Sequence, residues 1–112
     1  MNVAETILTQ LGGGRFAAMT GCNHFVSDGY TLHMHIPRNG SRANRLSITL
    51  DPDDTYTMRF SRYTPGRLKV DSKKQIAYFV EDVTKEINTY HGVYCDQLQE
   101  LFTEVTGMYT RL

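Results

Sequence analysis

Leu46-Ser47-Ile48-Thr49-Leu50-Asp51-Pro52-Asp53-Asp54-Thr55-Tyr56-Thr57-Met58-Arg59-Phe60-Ser61 is the stretch that decides the fold class. Leu46, Ile48 and Leu50 alternate with Ser47 and Thr49, and alternation sends successive side chains to opposite faces of a pleated strand. Asp51-Pro52-Asp53-Asp54 has the composition of a turn. Beyond it Tyr56, Met58 and Phe60 alternate with Thr57, Arg59 and Ser61. The two runs read as a β-hairpin with one apolar and one polar face, so something else in the chain must cover the apolar side.

Working outward, Tyr30, Leu32, Met34 and Ile36 alternate with Thr31, His33 and His35 in a further half-buried strand that Pro37 ends. Ser27-Asp28-Gly29 is a hairpin turn leading back to Asn23–Val26, which, like Arg15–Thr20, reads as extended. Residues 38–45 form a polar, basic loop. Downstream, Thr64-Pro65-Gly66 turns the chain, and Leu68 with Val70 suggests a short strand. Residues 75–80 suggest another; Val80, Val83 and Ile87 also fit the start of a helix, and extended structure is the expectation for 64–91.

Helices are expected at both ends. Val3, Ile7, Leu8 and Leu11 make a short stripe that Gly12-Gly13-Gly14 terminates. A phosphate-cradling glycine loop needs a strand before it and a helix after it, the reverse of this order. Leu98, Leu101, Phe102 and Val105 share one helical face, with Asp96 placed to cap the first turn and Gly107 to end the last. The expected fold is therefore α+β. It is one two-layer domain over residues 1–112, an antiparallel sheet of about four strands with an N-terminal and a C-terminal helix on one face. The helices would cover Leu32, Met34, Ile36, Leu46, Ile48, Leu50, Met58 and Phe60.

At 112 residues the chain is long enough for one core without metal or disulfide support. Its apolar runs are too short for a membrane span or a secretory segment, and the start Met-Asn-Val-Ala-Glu-Thr lacks a basic leader. The expectation is cytoplasmic, with no membrane contact and with Cys22 and Cys95 as reduced thiols. Net charge is zero but unevenly spread. Residues 1–74 hold ten Lys/Arg against six Asp/Glu, an excess of four positive charges; residues 75–112 hold two against six, an excess of four negative ones. Internal pairing between the halves is expected. Neutrality argues against a dedicated nucleic-acid binder while leaving room for a local basic patch.

Two surface patches are candidate contact faces. Asp96, Glu100 and Glu104 repeat every four residues as an acidic line with no cation four residues on from either Glu to relieve the repulsion. Arg59, Arg62, Arg67 and Lys69 with Tyr63 make a basic face, extended by Lys73, Lys74 and the loop residues Arg38, Arg42 and Arg45. Such groups hold phosphate backbones, with aromatic stacking for single strands. Cys22, His24, His33 and His35 are the best metal-ligand candidates, but their two-residue spacing is not a zinc signature, so no metal or other cofactor is expected. Asp51, Asp53 and Asp54 lack the spacing of a calcium loop. No Ser–His–Asp order, nucleotide loop or paired-His helix stands out, and no enzymatic activity is expected.

Leu11-Gly12-Gly13-Gly14-Arg15-Phe16-Ala17-Ala18-Met19-Thr20-Gly21 resembles a segment of a family of small uncharacterised proteins carried by phages and other mobile elements. The resemblance resumes over Leu46–Phe60, at Ile48-Thr49-Leu50 and Asp54-Thr55-Tyr56-Thr57. It is most specific at Val93-Tyr94, Asp96-Gln97-Leu98-Gln99 and Phe102-Thr103-Glu104-Val105-Thr106-Gly107. The chain departs from the family at Cys22-Asn23-His24-Phe25 and in a longer connection over residues 71–88. The resemblance carries no reaction and no catalytic residues. It implies a setting: a phage or mobile-element accessory protein in a bacterial host, binding a host protein and inhibiting machinery such as a defence system. The alternatives are a nucleic-acid-binding accessory domain and a plain structural or interaction domain, with homo-oligomerisation left open.

Overall fold

In the computed structural model, which describes residues 2–110, the hairpin of residues 46–61 sits in a five-stranded antiparallel sheet. Its strands are β1 (Asn23–Asp28), β2 (Thr31–His35), β3 (Arg45–Leu50), β4 (Tyr56–Thr64) and β7 (Val83–Val93), in the order β1-β2-β3-β4-β7. The register follows the alternation: Leu32 lies opposite Ile48, Met34 opposite Leu46, Leu46 opposite Phe60 and Ile48 opposite Met58. Every one of these side chains is buried, so a single apolar face is built from neighbouring strands in phase.

Three helices cover that face: α1 (Val3–Leu11), α2 (Gly13–Thr20) and α3 (Leu98–Thr106). Ile7, Leu11, Phe16, Leu98 and Phe102 are fully buried in one cluster with Ile36, Leu46, Ile48, Met58 and Phe60. Phe16 and Phe102 meet edge to face with ring centroids 5.0 Å apart, joining α2 to α3. Gln99 Nε2 donates to the Leu11 carbonyl at 2.7 Å and Tyr56 Oη to Gln10 Oε1 at 2.8 Å, fastening α1 to α3 and to the sheet.

α2 overturns the extended reading of Arg15–Thr20. Gly12 caps α1 as expected, but Gly13 and Gly14 occupy the first turn of α2, so the triple glycine ends one helix and opens the next. The segment is too short for periodicity to show, but Phe16 and Thr20, four residues apart, are its two buried positions. A helix does follow the glycines, yet α1 and not a strand precedes them.

α2 and α3 end in the same way. Thr20 and Thr106 each donate a hydroxyl hydrogen bond at 2.7 Å to the carbonyl four residues back, of Phe16 and Phe102. Each then accepts from the amide two residues on, at 3.2 Å. The pattern Phe-x-x-x-Thr-Gly is shared, and Gly107 takes the expected left-handed conformation with φ 76°. The start of α3 differs from expectation. Asp96 lies inside a 3-10 turn, Cys95–Gln97, that runs straight into the helix; the Gln97 side chain, not Asp96, accepts from the Tyr94 amide, at 3.0 Å.

The sheet has five strands where about four were expected, and a second, two-stranded sheet stands apart from it: β5 (Arg67–Asp71) with β6 (Ile76–Val80). β4 pairs with β7 as far as Thr64 and Val83, and β5 and β6 carry the same ribbon outward. This arm makes the molecule 55 × 32 × 23 Å. Its radius of gyration, 16.6 Å, exceeds the roughly 13 Å of a compact chain of this length.

Phe102→Ala removes a fully buried ring and its partner contact with Phe16. It is expected to cost about 3–5 kcal/mol in urea unfolding, whereas Glu104→Ala on the exposed face of the same helix should stay within about 0.5 kcal/mol.

Candidate functional site

The arm leaves the body at a junction of two residues on each strand, Pro65-Gly66 opposite Glu81-Asp82. The Asp82 carboxylate accepts the Gly66 amide on one oxygen and the Tyr63 hydroxyl, at 2.7 Å, on the other. Those two donors, the Gly66 amide foremost, hold the Asp82 carboxyl below the ordinary carboxylate range. The same contact raises the Tyr63 phenol above its usual value. A Cβ at Gly66 would overlap the Val80 carbonyl and lie 2.8 Å from Asp82 and 2.9 Å from the Phe79 ring, so no larger residue fits the crossing.

Cross-strand partners share a face. Leu68 stands opposite Phe79 and Val70 opposite Ala77, which makes one side of the arm wholly apolar. Nothing among the described residues covers it: Leu68 is 66 % exposed, Val70 71 % and Phe79 66 %. The other side mixes Arg67, Lys69 and Asp71 with Val80, Tyr78 and Ile76, and Lys73 and Lys74 occupy the tip. The strand reading of Leu68–Val70 and of residues 75–80 was legible in the sequence. That these apolar positions face outward was not.

The expected basic face does not exist as one patch. Arg59 and Tyr63 project to one side of β4 and Arg62, an odd number of residues from each, to the other. Arg67 and Lys69 lie beyond the junction on β5. Several of the body's cations are also engaged: Arg59 pairs with Glu86 at 3.4 Å, Arg62 donates to the Arg42 carbonyl at 3.0 Å, and Arg45 lies over the Tyr63 ring at 4.5 Å. Arg59–Glu86 joins the oppositely charged halves of the chain, and it is exposed on both sides.

The acidic line is also divided. Glu100 and Glu104 lie on α3 at the rim of a groove of about 280 Å³ formed with the end of β7, whose walls are Tyr90, His91, Gly92, Val93, Gln97 and Leu101. Asp96, in the preceding 3-10 turn, is exposed outside it. β7 is an edge strand, so along this groove its outer backbone groups have no strand partner. Neither Glu forms a salt bridge among the described residues; Arg111 lies outside them.

The open polar face of the sheet gathers the histidines. His33 Nδ1 is 2.7 Å from Ser47 Oγ, and its Nε2 is 3.7 Å from Asp28 Oδ2. This Ser–His–Asp chain, invisible in sequence order, is brought together by the β2–β3 register that sets His33 opposite Ser47. Its chemistry is limited: Asp28 is too far to fix the imidazole by a hydrogen bond, and Ser47 sits mid-strand, where the amides serve the ladder and no oxyanion hole is formed. His24 and His35 face each other at 6.1 Å beside it. Cys22 does not join them. β1 slips register after Asn23 and His24 takes a positive φ of 54°, so the two-residue spacing of Cys22 and His24 does not put both on one face. Cys22 is buried instead, and burial pushes its thiol up. Among the described residues no three His, Cys, Asp or Glu are grouped to hold a metal ion. At the β3–β4 turn, Asp51 accepts from the Thr57 hydroxyl and Asp53 from Thr55, each at 2.6 Å. Among the described residues no helix is long and apolar enough to cross a membrane.

Two measurements probe the arm junction. Gly66→Ala should speed tryptic cleavage after Arg67, Lys69, Lys73 and Lys74 while moving the thermal midpoint of the body by no more than about 2–4 °C. The lowered Asp82 pKa means its contribution is fully present above the ordinary Asp value and is lost as pH falls through the lowered one. Amide shifts of Gly66 and β6 should therefore titrate together below the usual carboxylate range, and lose that step in Asp82→Asn; a midpoint at the ordinary value would refute the junction described.

Compared with protein-family models, with curated proteins and with solved structures, the chain matches none.

Proposed function

We propose that this chain is a non-enzymatic accessory protein of a phage or other mobile element that occupies the surface of a host protein in the bacterial cytoplasm, a defence system being the class of target that setting suggests. The observation that carries the reading is the groove between α3 and the free edge of β7, with Glu100 and Glu104 on its rim. Core packing does not require these carboxylates: Leu98 and Phe102 bury the helix on its other side. A free strand edge flanked by acids accepts an extended basic segment, the backbone giving affinity through strand addition and the carboxylates giving selectivity. Occupying such a segment would keep nucleic acid from a basic groove of the target.

A second reading, a nucleic-acid-binding accessory domain, is favoured by Arg67, Lys69, Lys73 and Lys74, which the arm carries at the opposite end of β7 from the acidic groove. Phosphate contacts would make that binding steeply salt-dependent.

Charge reversal separates the two. Glu100→Lys with Glu104→Lys should abolish capture of the host protein, by at least about a hundredfold in affinity if both carboxylates are paired, and should spare any nucleic-acid binding. Lys69→Glu with Lys73→Glu should do the opposite. If Arg59→Glu alone removes function and binding is salt-sensitive, the acidic-groove reading is wrong.

A further inference from the structure

We infer that the acidic groove of one molecule receives the arm of a second copy of this chain, in a reciprocal twofold exchange. The inference rests on the groove being a docking surface, as proposed above, and names the occupant that fills it until a host segment displaces it. The apolar side of the arm, Leu68, Val70, Ala77 and Phe79, is uncovered in the single chain, and exposed apolar surface of this kind mid-ribbon is costly to leave in water. A lone two-stranded ribbon is marginally stable and gains from packing against another surface.

The occupant is argued from charge and reach. Lys73 and Lys74 make the tip of the arm basic, while Glu100 and Glu104 make the groove acidic; Arg67 and Lys69, on the side away from the apolar face, take no part. The groove also offers apolar contact: Tyr90 and Leu101 lie in its walls. The arm cannot fill its own groove. It leaves β7 at Val83, the groove lies at Val93, and β7 has 11 residues, so the two are roughly 30 Å apart and the arm points away. A second molecule laid antiparallel along the β7 edge brings each arm to the other's groove. With a twofold axis relating the two molecules, both contacts form at once and the exchange closes as a dimer rather than an open filament. Overall neutrality, with opposite charge at the two ends of β7, suits that arrangement and brings no net repulsion between copies.

Sedimentation equilibrium on the purified full chain at about 100 µM tests this. The expected result is a dimer. Leu68→Asp with Phe79→Asp, both at exposed positions, should yield a monomer that unfolds at the temperature of the wild type diluted until it too is monomeric. Glu100→Lys with Glu104→Lys should weaken the dimer at least about tenfold, and adding Lys73→Glu and Lys74→Glu to that variant should restore it. A wild-type monomer, or a dimer that survives the arm substitutions, overturns the inference. Its failure is distinct from failure of the proposed function. A monomeric wild type that still loses its host protein on Glu100→Lys with Glu104→Lys leaves the docking reading standing; a dimer held by the arm, with host capture indifferent to that reversal, leaves only the self-association.

Discussion

The contact between Phe16 and Phe102 ties the first twenty residues of the chain to the last fifteen, and the covered sheet depends on it. An antiparallel sheet with one apolar face is unstable until that face is closed, and here the closing layer comes from both ends of the chain. Each ring is set by its own helix end, where a threonine hydroxyl and a glycine fix the last turn over the core. The two helices thus carry the same Phe-x-x-x-Thr-Gly pattern for the same structural duty.

With the core closed on one side, surfaces are left to carry function. The sheet's other face is polar and partly self-satisfied, through His33–Ser47, Thr31–Thr49 and Arg45 over Tyr63. The arm and the groove beside α3 are different in kind. The arm is held by a local device, the Asp82 clamp across Gly66, which makes it a directed projection rather than a loop. Its apolar side does nothing for the fold that displays it. The groove joins a free strand edge to two carboxylates that the helix does not need.

Alternation and turn chemistry made the body of the sheet legible. The Leu46–Ser61 hairpin, the Asp28-Gly29 turn, and the strands of residues 67–71 and 76–80 are all where period-two patterning puts them. The misreadings share a cause. α2 spans two helical turns, too few for a stripe to emerge, and its start in glycines imitates a loop. The capping role expected of Asp96 passed to Gln97 because an intervening 3-10 turn moved the helix start. The basic face dissolved because strand alternation and the Pro65-Gly66 junction send Arg59, Arg62, Arg67 and Lys69 in different directions.

The sequence by itself determined the α+β class, which side chains are buried in the sheet, the buried stripe of the C-terminal helix and its Gly107 stop, because each is a local pattern that a single strand or helix must obey. Only the tertiary structure decided that Leu68, Val70 and Phe79 point into solvent, that Glu100 and Glu104 line one groove without Asp96, and that Asp28, His33 and Ser47 meet. Those outcomes depend on which strand pairs with which, on where the sheet ends, and on what packs above it. Apolar alternation looks the same in a chain whether or not the fold supplies a partner to cover it.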